Sequence, residues 1–543
     1  MNTPLTDIKI KYIININILC IKFYILIKYQ AIFINKEKYI YRSVYIMLKK
    51  LIFILMFTAI MLSVFSCAEN TNNNENSQIN VNETSSETDE TSSDDNISEQ
   101  VKILPDLPDA DFEGYEFKIY SKGPVYNEWS SQDIAAEEEM GEPINDAVYK
   151  RNRYIEEKYN VSITEIPSVG GDMVNAVRQS VAAGDNSYDA VVPNMYDQAT
   201  LAAGGNLIDL RQVPHMDLSQ KWWDPKANTD LTMGNRLFFT VGDLFIMDND
   251  ATWLVIFNKE LIKDLALENP YDIVRNNQWT FDKLLDMCKG VSKDLNGDGV
   301  MDRNDFYGNV SQGENMTAYY LASGESYVKK DENDLPFTAM DTERSVSVIE
   351  KIYDLMYDNT VSYNYWDLSD NEPFKITQQM FENNQAVFKI TALQLVIRMR
   401  NMETNFGIIP MPKYDTIQQE YAHYVHPTSS ALSIPVTNHN LDRTGVILEA
   451  LAAESYYTVR PAYYEISING KFLRDEESIE MLDIILESRV FDLAMCFGWG
   501  GLGGVLEEMY RPKNRNFVST YERRKDSYER AIERTVGSFI DMD

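Results

Sequence analysis

The chain has 543 residues and a formal net charge of −33, and this acidity excludes nucleic acid and anionic lipid as main partners, because both need basic surface. A hydrophobic share of 44% with 12% aromatic residues is ample for two or three folded domains. Only four cysteines are present, which excludes a fold stapled by disulfides.

Residues 1–46 match no targeting segment. They are crowded with Ile, Lys, Asn and Tyr. Their longest apolar stretch, Ile13 to Ile34, contains Lys22 and Lys28, and a lysine is costly at the centre of a bilayer. We therefore expect translation to begin at Met47, so that 1–46 is a mis-assigned upstream extension.

The segment Met47–Cys67, MLKKLIFILMFTAIMLSVFSC, has the three regions of a secretory signal. Two lysines give a cationic start, and the apolar run Leu51–Leu62 is too short to cross about 30 Å of hydrocarbon comfortably. A membrane anchor with an incidental cysteine is the alternative. The segment resembles a bacterial lipoprotein signal. That resemblance implies that 47–66 are cleaved and that Cys67 is lipidated at the extracellular face of the cell membrane.

The region 67–110 is predicted to be a disordered acidic tether that follows the lipidated cysteine. Ala68–Gln100 is rich in Asn, Ser, Thr, Asp and Glu and has no aromatic residue, Lys or Arg. Such a composition cannot bury enough apolar surface to offset its chain entropy. The tether would hold a folded body away from the membrane.

The body opens with a pattern typical of alternating strands and helices. Tyr115–Tyr120 and Val161–Thr164 alternate apolar and polar residues, and Tyr188–Pro193 is a short apolar run. Helical spacing fills the two intervals, with stops at Asn160 and Gly184. This order predicts a parallel sheet covered by helices. Ligands bind beyond the carboxyl ends of such strands, which makes two residues candidate ligand contacts: Asn194 and Tyr196.

The segment Asp294–Asp305 matches the template of a calcium-binding loop. Oxygen side chains fall at loop positions 1, 3, 5, 9 and 12, and Gly299 stands at position 6, where the backbone turns sharply. Position 12 is Asp rather than a bidentate Glu, which would weaken binding. An acidic loop of Asx turns without metal is the alternative. The predicted ligands of a structural Ca²⁺ are Asp294, Asn296, Asp298, Val300 through its carbonyl, Asp302 and Asp305.

Seven motifs along the body keep an order and spacing that are fairly specific together. They are Tyr188–Val192, Gly204–Leu210, Phe257–Leu261, Trp279–Asp282, Met380–Phe388, Phe406–Pro412 and Ala431–Pro435. In this order they resemble the extracellular solute-binding proteins of the family-1 type, which are the binding components of ABC importers for sugars and related solutes.

The resemblance implies an α/β fold of the two-lobed periplasmic-binding-protein type (type II), with the ligand cleft between the lobes. By analogy, the first lobe holds 111–245 and 430–474, and the second holds 246–429 and 475–543. Hinge closure would trap the ligand between them.

The function that the resemblance implies is capture of a carbohydrate, in particular an oligosaccharide, and its delivery to the transmembrane subunits of an ABC permease. We expect a monomer held at the membrane by its lipid anchor, with no catalytic group and no organic cofactor. A surface enzyme acting on polysaccharide, or a solute sensor, is the alternative.

A sugar presents apolar C–H faces and many hydroxyls, so its site needs aromatic platforms beside polar side chains. Packing in the core is the alternative role for each tryptophan considered. The further candidate ligand contacts are Trp223, Asp248, Trp253 and Trp499.

Overall fold

The structure, a computed structural model, describes four stretches of the chain: 102–365, 373–399, 402–469 and 476–540. The upstream extension, the signal 47–66 and Cys67 lie outside these residues, so the expectations about them stay predictions. In the described stretches, every helix is too short or too polar to cross a membrane.

The last residues of the predicted tether lie against the body. Lys102 Nζ is 2.6 Å from a carboxylate oxygen of Glu454. The backbone N–H of Ile103 donates to the Tyr457 hydroxyl at 2.8 Å, and that hydroxyl donates back to the Ile103 carbonyl at 3.1 Å. Lys102 and Ile103 therefore make specific contacts with the folded part, and Leu107 and Ala110 pack against its core.

Strands within the described residues form two main sheets and two short pairs. In chain order they are β1 Tyr115–Ser121, β2 Val161–Pro167, β3 Ala190–Val192, β4 Trp253–Asn258, β5 Tyr307–Ser311, β6 Val328–Lys330, β7 Pro336–Thr338, β8 Ser362–Asn364, β9 Ala386–Ala392, β10 Phe406–Ile409, β11 His423–Tyr424 and β12 Arg489–Val490.

Helices cover both main sheets. In chain order they are α1 Pro143–Tyr159, α2 Met173–Ala183, α3 Met195–Ala203, α4 Ala227–Asp230, α5 Met247–Asp250, α6 Lys259–Asp264, α7 Pro270–Arg275, α8 Phe281–Cys288, α9 Asn315–Ala322, α10 Glu343–Tyr357, α11 Pro373–Glu382, α12 Leu393–Arg398, α13 Leu441–Tyr457, α14 Val459–Asn469, α15 Glu476–Glu487, α16 Leu493–Phe497, α17 Val505–Tyr510, α18 Phe517–Glu522 and α19 Lys525–Ile540.

The first sheet has the order β2-β1-β3 and is parallel throughout, which confirms the predicted β-α-β-α-β unit. The helix stops are also confirmed. Helix α1 ends at Asn160, which adopts the left-handed conformation with φ 49°, and α2 ends at Gly184 with φ 68°. Each residue tolerates positive φ better than a β-branched side chain would, so each ends its helix at low cost.

A distant segment completes the first sheet. Ser433, Leu432 and Pro435 form antiparallel bridges with Val191, Thr240 and Leu207, respectively. The predicted strand Ala431–Pro435 is thus a run of single bridges to several partners. The chain returns here, more than 200 residues later, to the sheet with which it began.

The second sheet has the order β10-β4-β9-β5-β8. Strands β5, β8 and β9 are mutually parallel, and β4 runs antiparallel to β9 and β10. All six residues of β4 are buried, because helices cover both faces of the sheet. The carboxyl ends of the three parallel strands therefore meet at one edge.

Candidate functional site

The carboxyl end of β3 presents the first two candidate contacts. The side-chain oxygen of Asn194 accepts from the Asp197 N–H at 2.9 Å and caps α3. Tyr196 lies in the first turn of that helix and is 38% exposed. Both residues stand at the sheet edge where their position after a strand predicts them, and Tyr196 offers an accessible aromatic ring there.

Lys122 stands at the matching place after β1 and was missed by the sequence reading. It is 1% exposed, its Nζ donates to the Thr428 carbonyl at 2.7 Å, and it lies 5.3 Å from the ring centre of Tyr126. Burial lowers the pKa of Lys122 to about 8, partly offset by Asp133 and Asp197. The signal was available, because the strand-end rule that selects Asn194 also selects the residue after β1.

The second sheet brings polar residues to its own strand ends. Gln312 directly follows β5, Asn364 ends β8, and Thr391 is the penultimate residue of β9. Trp253 begins the antiparallel strand β4 and pairs with Ala392 at the end of β9. One edge of this sheet therefore gathers four side chains whose positions in the chain differ by 27 to 138 residues.

Several polar atoms at this edge are buried and have no hydrogen-bond partner among the described residues. They include the indole nitrogen of Trp253, the amide nitrogen of Gln312 and the hydroxyl of Thr391. A buried polar group left unpaired costs about 1–3 kcal/mol, so proteins rarely keep several together without a role. We call the set the strand-end cluster: Trp253, Gln312, Asn364, Thr391, Gln394 and Tyr424.

One hydrogen bond joins the strand-end cluster to the first sheet. The side-chain nitrogen of Gln394, just after β9, donates to the Glu128 carbonyl at 2.5 Å. Glu128 lies in the short 3₁₀ helix Pro124–Trp129, which follows β1. The strand ends of the two sheets thus lie close to one another.

A chain of aromatic rings makes the same connection. Tyr196 meets His426 edge-on at 6.2 Å between ring centres, and His426 meets Tyr424 at 5.6 Å. Tyr424 stacks against Trp253 at 6.5 Å. Burial lowers the pKa of His426 to about 4, so its imidazole is neutral near pH 7. The site therefore combines uncharged aromatic faces with unpaired hydrogen-bonding groups.

Trp223 and Asp248 lie elsewhere and have internal partners. Trp223 is 1% exposed and its indole N–H donates to Glu449 at 2.8 Å, while Trp222 donates to the other oxygen of the same carboxylate at 2.9 Å. Asp248 is ion-paired with Arg489 at 2.6 Å. Their roles as ligand contacts stay predictions, and the structure gives both residues a packing role.

A cavity of about 210 Å³ adjoins these residues. Its lining includes Trp223, Asp243, Arg460 and Arg489, and it shares no residue with the strand-end cluster. Arg489 is held by Asp224 at 2.6 Å, and burial raises the pKa of Asp243 to about 7. The charged groups of this cavity largely pair with one another, so it is a weaker candidate for a solute site.

Trp499 is 3% exposed and packs inside the protein. Its indole N–H donates to the Thr535 hydroxyl at 3.0 Å, and its ring stacks on Phe497 at 5.1 Å. The glycines around it build a short 3₁₀ helix, Trp499–Gly504. Both the polar edge and the ring face of Trp499 are therefore engaged by the protein, and its role as a ligand contact stays a prediction.

The loop Asp294–Asp305 lies between α8 and β5 and is stabilised by hydrogen bonds among its own residues. The Asp294 carboxylate accepts from the N–H groups of Gly297 at 2.7 Å and Gly299 at 2.8 Å, which lower the pKa of Asp294. Asp305 accepts from Leu295 at 2.9 Å. Such turns are common to calcium loops and to metal-free acidic loops.

Acidic groups that could hold a metal are not gathered in this loop. Nowhere in the described stretches do three or more His, Cys, Asp or Glu side chains form such a group. The side chains of Asn296 and Asp298 bond to each other at 2.9 Å instead. The six predicted ligands therefore stay a prediction.

The sequence profile described as bacterial extracellular solute-binding protein matches residues 135–452, which is more than half of the chain. The chain belongs to this family. It is therefore an extracellular or periplasmic solute-binding protein, and the match covers β2 and β3 of the first sheet and all five strands of the second.

Solved structures of the same fold extend the family result. M. tuberculosis UspC, in a monoclinic crystal form, has a TM-score of 0.51 at 13% identity over 77% of this chain and 100% of that one. This likeness and the family match confirm the two-lobed α/β fold.

No curated protein matches the chain. Two further solved structures are similar to it. A cyclo/maltodextrin-binding protein complexed with maltotetraose has a TM-score of 0.49 at 13% identity, covering 78% of this chain and 96% of that one. An ABC transporter solute-binding protein from Thermotoga lettingae, bound with alpha-D-tagatose, has a TM-score of 0.49 at 15% identity, covering 78% and 100%.

Proposed function

We propose that this chain is a lipid-anchored solute-binding protein that captures a carbohydrate between its two lobes and delivers it to an ABC-type permease. The observation that carries the proposal is the strand-end cluster, whose buried polar atoms lack partners among the described residues. It lies where ligands of α/β sheets bind, beyond the carboxyl ends of the strands.

A carbohydrate matches the mixture of groups in the cluster. The indole N–H of Trp253 and the amide nitrogen of Gln312 are donors, the amide oxygen of Gln394 is an acceptor, and the Thr391 hydroxyl is both. A sugar hydroxyl likewise donates and accepts, so neighbouring hydroxyls can satisfy all of them. The exposed ring of Tyr196 offers a platform for the apolar face of a sugar ring.

Closure of the two lobes would provide the capture mechanism. A ligand that contacts both sheets favours the closed form by the free energy of those extra contacts. The Gln394–Glu128 hydrogen bond joins the two sets of strand ends and would be made or broken in this movement. No step in this mechanism needs a catalytic group.

Anchoring through Cys67 would keep the receptor beside its permease. A freely released receptor would diffuse away from the membrane, whereas a lipid with a long acidic tether keeps it within reach. The sequence of the signal supports this part of the proposal.

Ligand binding is tested by thermal shift and calorimetry against mono- and oligosaccharides. A ligand that binds only the native state raises the melting temperature, by mass action. Tyr196→Ala should weaken the binding of the best sugar about tenfold, whereas Tyr154→Ala, also on an exposed helical tyrosine, should leave it unchanged. Binding of peptides or anionic solutes alone, with no response to any sugar, would refute the carbohydrate assignment.

Anchoring is tested separately with Cys67→Ser in intact cells. We expect the variant chain to leave the membrane fraction and the wild-type chain to carry lipid on Cys67, detected by mass spectrometry. Permease genes beside this gene would support delivery, and release of new reducing ends from a polysaccharide would favour the enzyme alternative.

The calcium loop is a further proposal, made on its sequence pattern. Ca²⁺ held by Asp294 and its neighbours would fix the connection between α8 and β5. Added Ca²⁺ should then raise the melting temperature of the wild type and not that of an Asp294→Asn/Asp298→Asn variant. If EDTA and Ca²⁺ both leave the wild type unchanged, the loop is a metal-free turn.

A further inference from the structure

Two glutamates lie on neighbouring helices beside the strand-end cluster. Glu314 follows Gln312 by two residues and directly precedes α9, and Glu507 lies in the first turn of α17. Helix α9 packs against α17. A Cβ placed on Gly313 would stand only 3.4 Å from the Tyr510 ring, so the chain approaches α17 closely at this point.

Neither carboxylate is engaged by another side chain or by an ion pair within the described stretches, although both are partly buried. The adjacent Glu508 shows the contrast. It lies on the same helix, is exposed, and forms an ion pair with Arg524. A partly buried carboxylate without a cation is costly, and two together are more so, because like charges repel.

Helix α9, which Glu314 directly precedes, also packs against β11, the strand that ends with Tyr424 of the strand-end cluster. Burial raises the pKa of Tyr196, with further increases from Cys496, Glu507 and Glu314. Burial likewise raises the pKa of Tyr424, and Tyr196 and Glu507 add to the increase. Tyr424 is 1% exposed and its hydroxyl has no partner in the described part of the chain. An unpaired buried hydroxyl therefore lies in the same region as the two carboxylates.

Lys389 and Arg511 act on the pair through space but form no ion pair with it among the described residues. Lys389 is fully buried, and its Nζ donates to the Thr377 hydroxyl at 2.9 Å. Burial lowers the pKa of Lys389 to about 7, partly offset by Glu314 and Glu382. Arg511 is exposed and forms no ion pair with either glutamate in the described residues. Burial and then repulsion by Glu314 raise the pKa of Glu507 to about 7, and Arg511 opposes this increase.

Resting on the proposed function, we propose that the solute of this site is a saccharide carrying a protonated amine, which binds between Glu314 and Glu507. An ammonium group has three donors and one positive charge, so it can bond both carboxylates and relieve their repulsion. The net charge of −33 adds a field that attracts cationic sugars and disfavours uronic or sulfated ones.

The test compares sugars that differ only in one substituent. Titration calorimetry with the full chain at neutral pH would use glucosamine and glucose, galactosamine and galactose, and oligomers of each kind. We expect the amine-bearing member of the preferred pair to bind about tenfold more tightly, a difference that shrinks at high salt because salt screens charge. It should also shrink as the pH falls below about 7, where Glu507 becomes protonated and neutral.

Variants locate the effect. Glu507→Gln and Glu314→Gln keep side-chain size and should each remove most of the preference for the amine, with little loss of affinity for the neutral sugar. Glu508→Gln is the matched control and should change neither. A melting curve for each variant checks that it folds.

Each outcome decides a different question. If a neutral sugar binds as well as its amine at every salt concentration, the inference about the amine is wrong and the proposed function stands. If the preference persists in the double glutamine variant, the two glutamates are not its source and the proposal falls. If no sugar of either kind binds, the proposed function itself fails.

Discussion

The loop Asp294–Asp305 and the strand-end cluster are both rich in polar groups, but they differ in whether the protein supplies hydrogen-bond partners for those groups. In the loop, carboxylates accept hydrogen bonds from N–H groups two to ten residues away, and most of the loop is exposed. In the cluster, polar atoms from distant segments are buried and unpaired within the described stretches.

The difference separates a local motif from a site made by the fold. A loop that satisfies its own hydrogen bonds can persist with or without a ligand. Buried groups that the protein leaves unsatisfied cost free energy, and a ligand that pairs them recovers it. The cluster is therefore the stronger candidate for solute binding, although the loop is far easier to recognise in the sequence.

The largest effect is expected from removing one donor of the cluster. Trp253→Phe deletes an indole N–H that has no partner in the described structure and keeps an aromatic ring against Tyr424. We expect ligand affinity to fall by about 2 kcal/mol, near thirtyfold, with little change in melting temperature.

Trp499→Phe is the matched control for that change. Its N–H is already bonded to Thr535, so the variant should lose about 1 kcal/mol of stability and no affinity. Calorimetry and melting curves on both variants decide the matter. If both variants lost the same affinity, the unpaired N–H of Trp253 would not be a specific contact with the solute.

The next effect concerns pH. Glu507 in the folded chain has its pKa raised from 4.5 to about 7, so between those values the folded state binds more protons than the unfolded state. The contribution of Glu507 to the free energy of unfolding is therefore present at low pH and is lost as the pH rises through about 7. Asp294 in the loop is shifted in the opposite direction and does not titrate there.

Urea unfolding of the wild type and of Glu507→Gln, near pH 5 and near pH 7.5, measures this contribution to stability. We expect the two to be similar in acid and the wild type to be less stable, by roughly 1–2 kcal/mol, at the higher pH. A constant difference across the range would mean that Glu507 titrates normally.

A smaller effect is expected from Thr391→Val, which replaces a buried, unpaired hydroxyl with a methyl group of the same shape. Stability should increase by about 1 kcal/mol while sugar affinity decreases, because the fold no longer buries an unsatisfied group and the ligand loses a partner. Denaturant midpoints and calorimetry report the two quantities. A loss of stability would mean that the hydroxyl already has a structural role.

The smallest effect belongs to the loop. Asp298 accepts from the Val300 N–H at 2.8 Å in an exposed turn, and Asn can accept in the same way. Without Ca²⁺, Asp298→Asn should change the free energy of unfolding by less than about 0.5 kcal/mol and leave sugar affinity unchanged. An effect on sugar affinity would show that the loop is coupled to the solute site.

Sequence reading captured the local structure well. It found β1 to β3, the stops of α1 and α2 at Asn160 and Gly184, and the position of Asn194 and Tyr196 after a strand. Each of these depends on alternation, helix spacing or backbone conformation over a few residues, which the local sequence contains.

The tryptophans show which features the local sequence does not predict. Trp223, Trp253 and Trp499 look alike in sequence, yet Trp223 and Trp499 bond to Glu449 and Thr535, and the indole N–H of Trp253 has no partner in the described residues. Partners that are 36 or 226 positions away cannot be inferred from composition or spacing.

The acidic character, the export signal pattern, the family and the order of strands and helices in the first sheet all follow from the amino-acid sequence. Which polar groups lack a partner among the described residues, and the packing of the helices at Glu314 and Glu507, depend on the tertiary structure. The reason is that hydrogen bonds within a turn or helix depend on neighbours in the chain. The solute site instead depends on which distant segments the two sheets bring together.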